Sequence, residues 1–369
     1  MLKAALWDRK PLLKAPVLWM TVYRISSAQN TRQMVFQYAM QQTIVPVPEH
    51  IEEMMLLALT TGVKAHVIAN KVLTDIVKAL DGHGIRSVLL KGQGVASYYA
   101  TPYLRQCGDI DLYVGKENFD RACRIVGTMA LALRERGDKH QAYDFGNNLS
   151  VEIHRYTEVL PNRKLNAYYQ TISDDGTREG LVPVHFDGVD ILTPEDTFNA
   201  FYIFHHLWHH VSGMGMGLRQ FCDWAAFLHA HRGQLDEARL EKWLSVFHLM
   251  RVWKVMGCLA VDRLGLEHDA VPFLPPQRKD RKRLRKAADA FLNLILEEGD
   301  NRAYKFERGK NTFQHKAGSL AYIFSKFYKL LPIFPWQAVL FLCRNINSGI
   351  AKFVRKLAEE TLVILKKKP

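Results

Sequence analysis

The stretch Val88–Val114, VLLKGQGVASYYATPYLRQCGDIDLYV, decides the reading of this chain. It ends in DIDLYV, an alternating run that predicts a strand. Successive side chains on a strand point to opposite faces. Asp109 and Asp111 therefore share one face, while Ile110 and Leu112 face the core. Two neighbouring carboxylates repel and raise each other's pKa if left alone. A bound divalent cation removes that cost, and hard oxygen ligands of this kind suit Mg²⁺.

Two flanking segments strengthen the reading. Upstream, LLKGQG predicts a short strand, a Gly-rich turn and the start of a short helix. Backbone N–H groups at Gly92, Gln93 and Gly94 would receive phosphate oxygens there, and Lys91 adds a positive charge. Downstream, VEIHR predicts another strand on which Glu152 and His154 share a face. A third carboxylate completes a site able to hold two metals, which activates an attacking oxygen and steadies a leaving one.

The order LLKG, LRQCGDIDLYV, VEIH resembles the DNA polymerase beta-like nucleotidyltransferase superfamily. That superfamily carries an hG[GS] turn, a Dh[DE]h strand and a third acid on a neighbouring strand. More narrowly, the chain is similar to a family of bacterial uncharacterised nucleotidyltransferases. Their pattern is an LLKG strand end, an R-x-x-GDIDLLV strand and an ElHW-like strand, then a His-containing helix and an R-x-x-x-D helix. The resemblance spans about residues 55–230. It implies an α+β fold with a small mixed β-sheet nucleotidyltransferase core. It places Gly92 and Gln93 on the turn, Asp109 and Asp111 as the metal pair and Glu152 as the third acid. Three departures stand out: Gln93 where Gly or Ser is usual, Glu152 where Asp is common, and a long spacer from Gln93 to Asp109.

The implied chemistry is metal-dependent transfer of an NMP from an NTP, with ATP the expected donor and Mg²⁺ or Mn²⁺ the expected ion. Asp109 and Asp111 would hold the metal, and Glu152 would complete the second metal site or deprotonate the acceptor. Lys91 and Arg105 would balance the triphosphate charge. His154 would orient a phosphate or the acceptor, but reads first as a hydrogen-bonded structural histidine; Lys91 also reads as a solvent-exposed strand-end lysine. The acceptor is expected to be a small molecule, a sugar or a protein hydroxyl, because no RNA-binding module is recognisable.

Further along, FHHLWHHVSGMGMGLRQFCDW places His205/His209 and His206/His210 at i,i+4. That spacing can bind zinc from one helix face, but no acid stands as in HExxH and no third ligand is assigned. The alternatives are a helix packed through Phe204, Leu207 and Trp208, or a helix lining an acceptor pocket with His206, His209 and His210. Arg219 and Asp223, also at i,i+4, are expected either to pair with each other or to join that pocket.

Length and composition set the frame. With 369 residues, 48% apolar and 24% charged, the chain can bury a sizeable core. Five cysteines, none as CxxC, read as reduced thiols in a cytosolic protein. APVLWMTVY loosely resembles a signal segment, but Asp8 and Arg24 interrupt the pattern, so a cytoplasmic location is expected. The net charge of +13 is uneven: Arg278–Pro369 holds 21 Lys and Arg against 8 Asp and Glu, leaving the rest neutral. The expected division is an N-terminal helical region (1–81), the core (82–192), a helical domain (193–300) and a basic amphipathic tail (301–369). Aromatics interleaved with Lys and Arg in the tail suit an anionic membrane surface, such as the inner face of the cell membrane, or a protein partner, ahead of nucleic acid. The competing functions are a non-catalytic nucleotide- or partner-binding module and an RNA-modifying nucleotidyltransferase that uses the tail.

Overall fold

The computed structural model describes residues 1–9, 13, 16–42, 45–213, 215–298 and 312–346. Its centre is a mixed sheet of order β1-β2-β5-β4-β3. The strands are β1 (Val88–Leu90), β2 (Ile110–Tyr113), β3 (Ala132–Arg136), β4 (His140–Asp144) and β5 (Ser150–His154). β1 and β2 run antiparallel, whereas β2 and β5 run parallel with Asp111 opposite Glu152. A separate hairpin, β6 (Val182–Phe186) and β7 (Val189–Thr193), turns at Asp187-Gly188, where both residues have positive φ. That is the geometry a two-residue Asp-Gly turn demands.

The helices are α1 (Leu2–Leu6), α2 (Trp19–Ala28), α3 (Arg32–Gln41), α4 (Glu49–Gly82), α5 (Gly92–Ala96), α6 (Gly115–Met129) and α7 (Arg163–Gly176). There follow α8 (Asp196–Ser212), α9 (Leu218–Ala230), α10 (Glu237–Val246), α11 (Met250–Leu259), α12 (Lys282–Glu298) and α13 (Thr312–Leu330). The architecture is thus α+β, a small sheet set among many helices.

The sheet has one dry face and one chemical face. Ile110, Leu112, Val151 and Ile153 are fully buried against Ile76 and Leu80 of α4 and Phe119 and Val126 of α6. Alternation sends Asp111, Glu152 and His154 to the other face, toward α8. The apolar positions of α4 recur at helical spacing, so its first half (Ile51, Met55, Leu59) joins the helical core and its second half the sheet. α4 therefore ties the N-terminal helices to the core across the expected boundary at residue 81.

The helical core is aromatic. Trp224 and Trp253 meet edge-on at 4.9 Å, and Phe204 packs on Trp253 at 4.9 Å. Truncating a buried ring of this kind typically costs about 3–5 kcal/mol. Thr193 and Pro194 suit the cap and first position of a helix, but α8 starts later. The Thr193 hydroxyl donates to the Val182 carbonyl inside the hairpin, and the cap falls to Glu195, whose carboxylate accepts from the Thr197 and Phe198 amides.

A second difference lies at 116–137, which reads as one amphipathic helix. The helix stops at Met129, and Ala132–Arg136 forms an edge strand exposed along its whole length. With no buried face, this strand carries no alternation for a reader to detect.

Of the basic tail, residues 301–311 and 347–369 lie outside the described residues, and with them most of the expected membrane- or partner-binding surface. The described part folds back on the protein: Tyr322 Oη donates to the Gly213 carbonyl at 2.6 Å, and Phe334 is fully buried beside Trp208. Among the described residues no single helix is long and apolar enough to cross a membrane.

Two buried histidines make stability depend on pH. Burial pushes His205 down to about 4, and burial with the nearby Arg105 charge does the same to His66. The unfolded chain takes up these protons near pH ~6.5. Between those values the unfolded state binds more protons, so stability is full above ~6.5 and falls as pH drops toward 4. The melting temperature should therefore decline from pH 7 to pH 5. A His66→Gln/His205→Gln variant should show a shallower decline in the same calorimetric series.

Candidate active site

The register of β2 against β5 builds the site. Asp111 and Glu152 are lateral neighbours in a parallel pair, and His154 stands two residues further on the same face. Its Nε2 lies 3.0 Å from Asp111 Oδ1 and 3.2 Å from Glu152 Oε2. The second oxygen of Asp111 meets Lys91 Nζ at 3.2 Å. Burial alone would raise the Asp111 pKa, but Lys91 and then His154 outweigh it and hold the carboxyl well below its usual range. Burial would lower His154, yet its bonds to Asp111 and Glu152 prevail and raise it. Asp109 sits one residue before the strand and is half-buried.

Lys91 reaches Asp111 from an unusual backbone. It has φ +59 and ψ −145, and Gly92 follows at φ +54. A non-glycine residue in that region costs about 1–3 kcal/mol, the kind of strain that collects at functional sites. The turn differs in detail from the expectation of three phosphate-binding amides. Gly92 lines the site, but the Gly94 N–H already donates to the Lys91 carbonyl. Gln93 is fully buried, with Nε2 donating to Cys107 Sγ at 3.0 Å. Gln93 and Gly94 thus pack beneath the turn, and Lys91 and Gly92 form its open side.

Arg105 and Asp223 are partners. The Arg105 Nε and Nη2 each donate to one Asp223 oxygen at 2.8 Å, and Tyr99 Oη donates to Asp223 at 2.6 Å. Burial opposes the Arg105 charge, but Asp223 outweighs it and raises the pKa. The expected Arg219–Asp223 pair is replaced, because α9 turns Asp223 toward the loop before β2. Arg219 instead donates to the Gln106 and Cys107 carbonyls of that loop. Both arginines thereby fix the segment that presents Asp109, and the Arg105 charge is already matched inside the protein.

The histidines of α8 divide. His205 is buried between Tyr169 and Phe247. His206, His209 and His210 line the same cavity as the carboxylates, of ≈ 450 Å³. His206 Nε2 lies 3.2 Å from Lys91 Nζ and 3.0 Å from His210 Nε2. Burial, then the charge of Lys91, keeps His206 well below the ordinary imidazole range, so its Nε2 can accept from Lys91. His209 is held by Glu158 at 3.2 Å, which also meets Lys139 at 3.0 Å. The His205/His209 zinc pair is therefore split between core and cavity.

The donor set fits a divalent cation. Asp109, Asp111 and Glu152 present oxygen ligands on one wall of the cavity, and the positive charge that Lys91 and His154 now give Asp111 is what a cation would give it. A second grouping lies alongside: ligand atoms of His140, Glu152 and His154 are all within 4.8 Å of one another. Imidazole nitrogens beside a carboxylate broaden the choice toward Mn²⁺ and other transition metals.

Residues 15–265 match the family described as uncharacterised nucleotidyltransferase. The chain belongs to this family. It is thus a transferase acting on a nucleotide and an acceptor. No curated protein matches it. Among solved structures it is similar to the antibiotic-resistance factor ANT(2'')-Ia, at 11% identity and TM-score 0.37, over 49% of this chain and 92% of that one. It is also similar to an antigenic nucleotidyltransferase-like protein from Paracoccidioides brasiliensis, at 12% identity and TM-score 0.33, over 54% of this chain and 92% of that one.

For this nucleotidyltransferase, sequence reading missed His140, Lys139 and Glu158. His140 opens β4 and Lys139 precedes it, and His140 faces His154 across the β4–β5 ladder. Strand pairing alone brings them in, and no local motif signals it. The Arg105–Asp223 pair gives a direct test. Removing one partner of a buried ion pair leaves an uncompensated charge, so Asp223→Ala should lower unfolding free energy by about 3–5 kcal/mol in urea titration.

Proposed function

We propose that this chain transfers an NMP from an NTP, ATP foremost, to a hydroxyl of a small molecule, sugar or protein. One observation carries the reading: parallel pairing sets Asp111 and Glu152 side by side on the cavity wall, with Asp109 at the strand entrance. A divalent ion bound by Asp109, Asp111 and Glu152, Mg²⁺ or Mn²⁺, would supply charge to the α-phosphate and to the leaving pyrophosphate.

The remaining chemistry belongs to side chains. Lys91 is mobile between two roles, neutralising Asp111 in the free protein and a triphosphate oxygen when nucleotide is bound. His206, kept neutral by burial and the Lys91 charge, accepts from the lysine without repelling it, and His210 lies 3.0 Å from His206. The acceptor oxygen attacks the α-phosphorus, the bond to the bridging oxygen breaks, and pyrophosphate leaves on the Lys91 side. The hydroxyl proton goes to Glu152, which lines the same cavity. Arg105, Asp223 and Arg219 hold the loop that aims Asp109.

The test is a thermal-shift panel with Mg²⁺ and each of ATP, GTP, CTP and UTP. At about 100 times the dissociation constant, a nucleotide stabilises by about 2.7 kcal/mol. Wild type should shift with at least one nucleotide only when metal is present, and Asp109→Asn/Asp111→Asn should not shift. Stabilisation retained in the double variant would point to binding elsewhere.

A further inference from the structure

A larger cavity lies beside the acidic one. Its volume is ≈ 710 Å³, and it runs between the start of α3, the first half of α4 and the turn joining β4 to β5. The two cavities share Gly108, Asp109 and Arg219. Asp109 is therefore at the neck between them. Lys91, His206 and His210 line the smaller cavity and not the larger one.

The larger cavity holds a cation whose charge the protein does not match. Arg32 lines it, forms no ion pair among the described residues, and has a buried Nε with no hydrogen-bond partner. Next to it Gln33, 3% exposed, has a buried Oε1 that also lacks a partner. The same is true of Gln106 Oε1 at the neck. Arg32 thus brings to the cavity wall a guanidinium that no carboxylate among the described residues neutralises. The facing wall is apolar, from Met54, Leu57 and Ala58 of α4. Among the described residues, Asp109 is the only carboxylate that lines the cavity.

In-line displacement places the attacking oxygen opposite the leaving group. With pyrophosphate leaving toward Lys91, the acceptor approaches from the far side of Asp109. We propose that the larger cavity is the acceptor pocket, and that it selects a small hydroxyl compound carrying a carboxylate or phosphate that pairs with Arg32. A guanidinium fork recognises either anion in bidentate fashion. The apolar part of the molecule lies on the α4 wall. Its hydroxyl oxygen bonds to the α-phosphorus as the bond to pyrophosphate breaks, and the hydroxyl proton passes to the acidic face. This inference rests on the nucleotidyl-transfer reading above.

The experiment uses the full chain with Mg²⁺ and the stabilising nucleotide. Hydroxy acids and sugar phosphates are compared with matched neutral alcohols and sugars, reading both thermal shift and pyrophosphate release. Wild type should be stabilised by, and turn over, at least one anionic compound at no less than tenfold the efficiency of its neutral analogue. Arg32→Ala and Arg32→Gln should keep the nucleotide shift, which also reports that they fold, and raise KM for that compound at least tenfold. Arg32→Lys should recover part of the loss. A panel in which no anionic compound acts, or neutral analogues act equally well, overturns the proposal. So does loss of the nucleotide shift in both Arg32→Ala and Arg32→Gln, which would place the nucleoside there. Absence of any nucleotide shift in wild type would instead sink the nucleotidyl-transfer reading itself.

Discussion

A carboxylate inside a protein must be met by positive charge, and Asp111 is such a carboxylate. It occupies a strand position that alternation turns away from the dry core, yet α8 covers it. Lys91 and His154 supply the compensation. The strained backbone at Lys91, the parallel pairing of β2 with β5 and the uncharged state of His206 all serve that one requirement. An arrangement that needs cations around a buried acid is one that a metal–nucleotide complex can enter by exchange, without building a new charge pattern.

The surrounding framework is rigid where the chemistry demands aim. Arg105, Asp223 and Tyr99 lock the loop before β2 to α9, and Arg219 clasps the carbonyls of the same loop. Two arginines thus serve to place one short segment whose end is Asp109. That aim gives meaning to the position of Asp109 between two cavities of different character. One is rich in histidine and lysine; the other has an unmatched arginine and an apolar wall.

Much of this was legible from residues alone. The alternation in DIDLYV and VEIH gave the two acidic strands, and Asp187-Gly188 gave the hairpin. Asn147 and Asn148, in the turn before β5, both adopt positive φ. What escaped has physical reasons. The edge strand Ala132–Arg136 buries neither face, so its pattern mimics the helix before it. Arg105 looked like a triphosphate ligand, because sequence cannot show that α9 brings Asp223 onto it. His140 and Arg32 carry no motif at all; only strand pairing and helix packing reveal that one faces His154 and the other lacks a partner.

The most direct test is to locate the metal. Crystals soaked in Mn²⁺ with a non-hydrolysable nucleotide give an anomalous signal at each bound ion. The account predicts a peak about 2.1 Å from oxygens of Asp109 and Asp111, with Lys91 released from Asp111 toward phosphate. A peak only among His140, Glu152 and His154, or none beside Asp111 while nucleotide is bound, would contradict it.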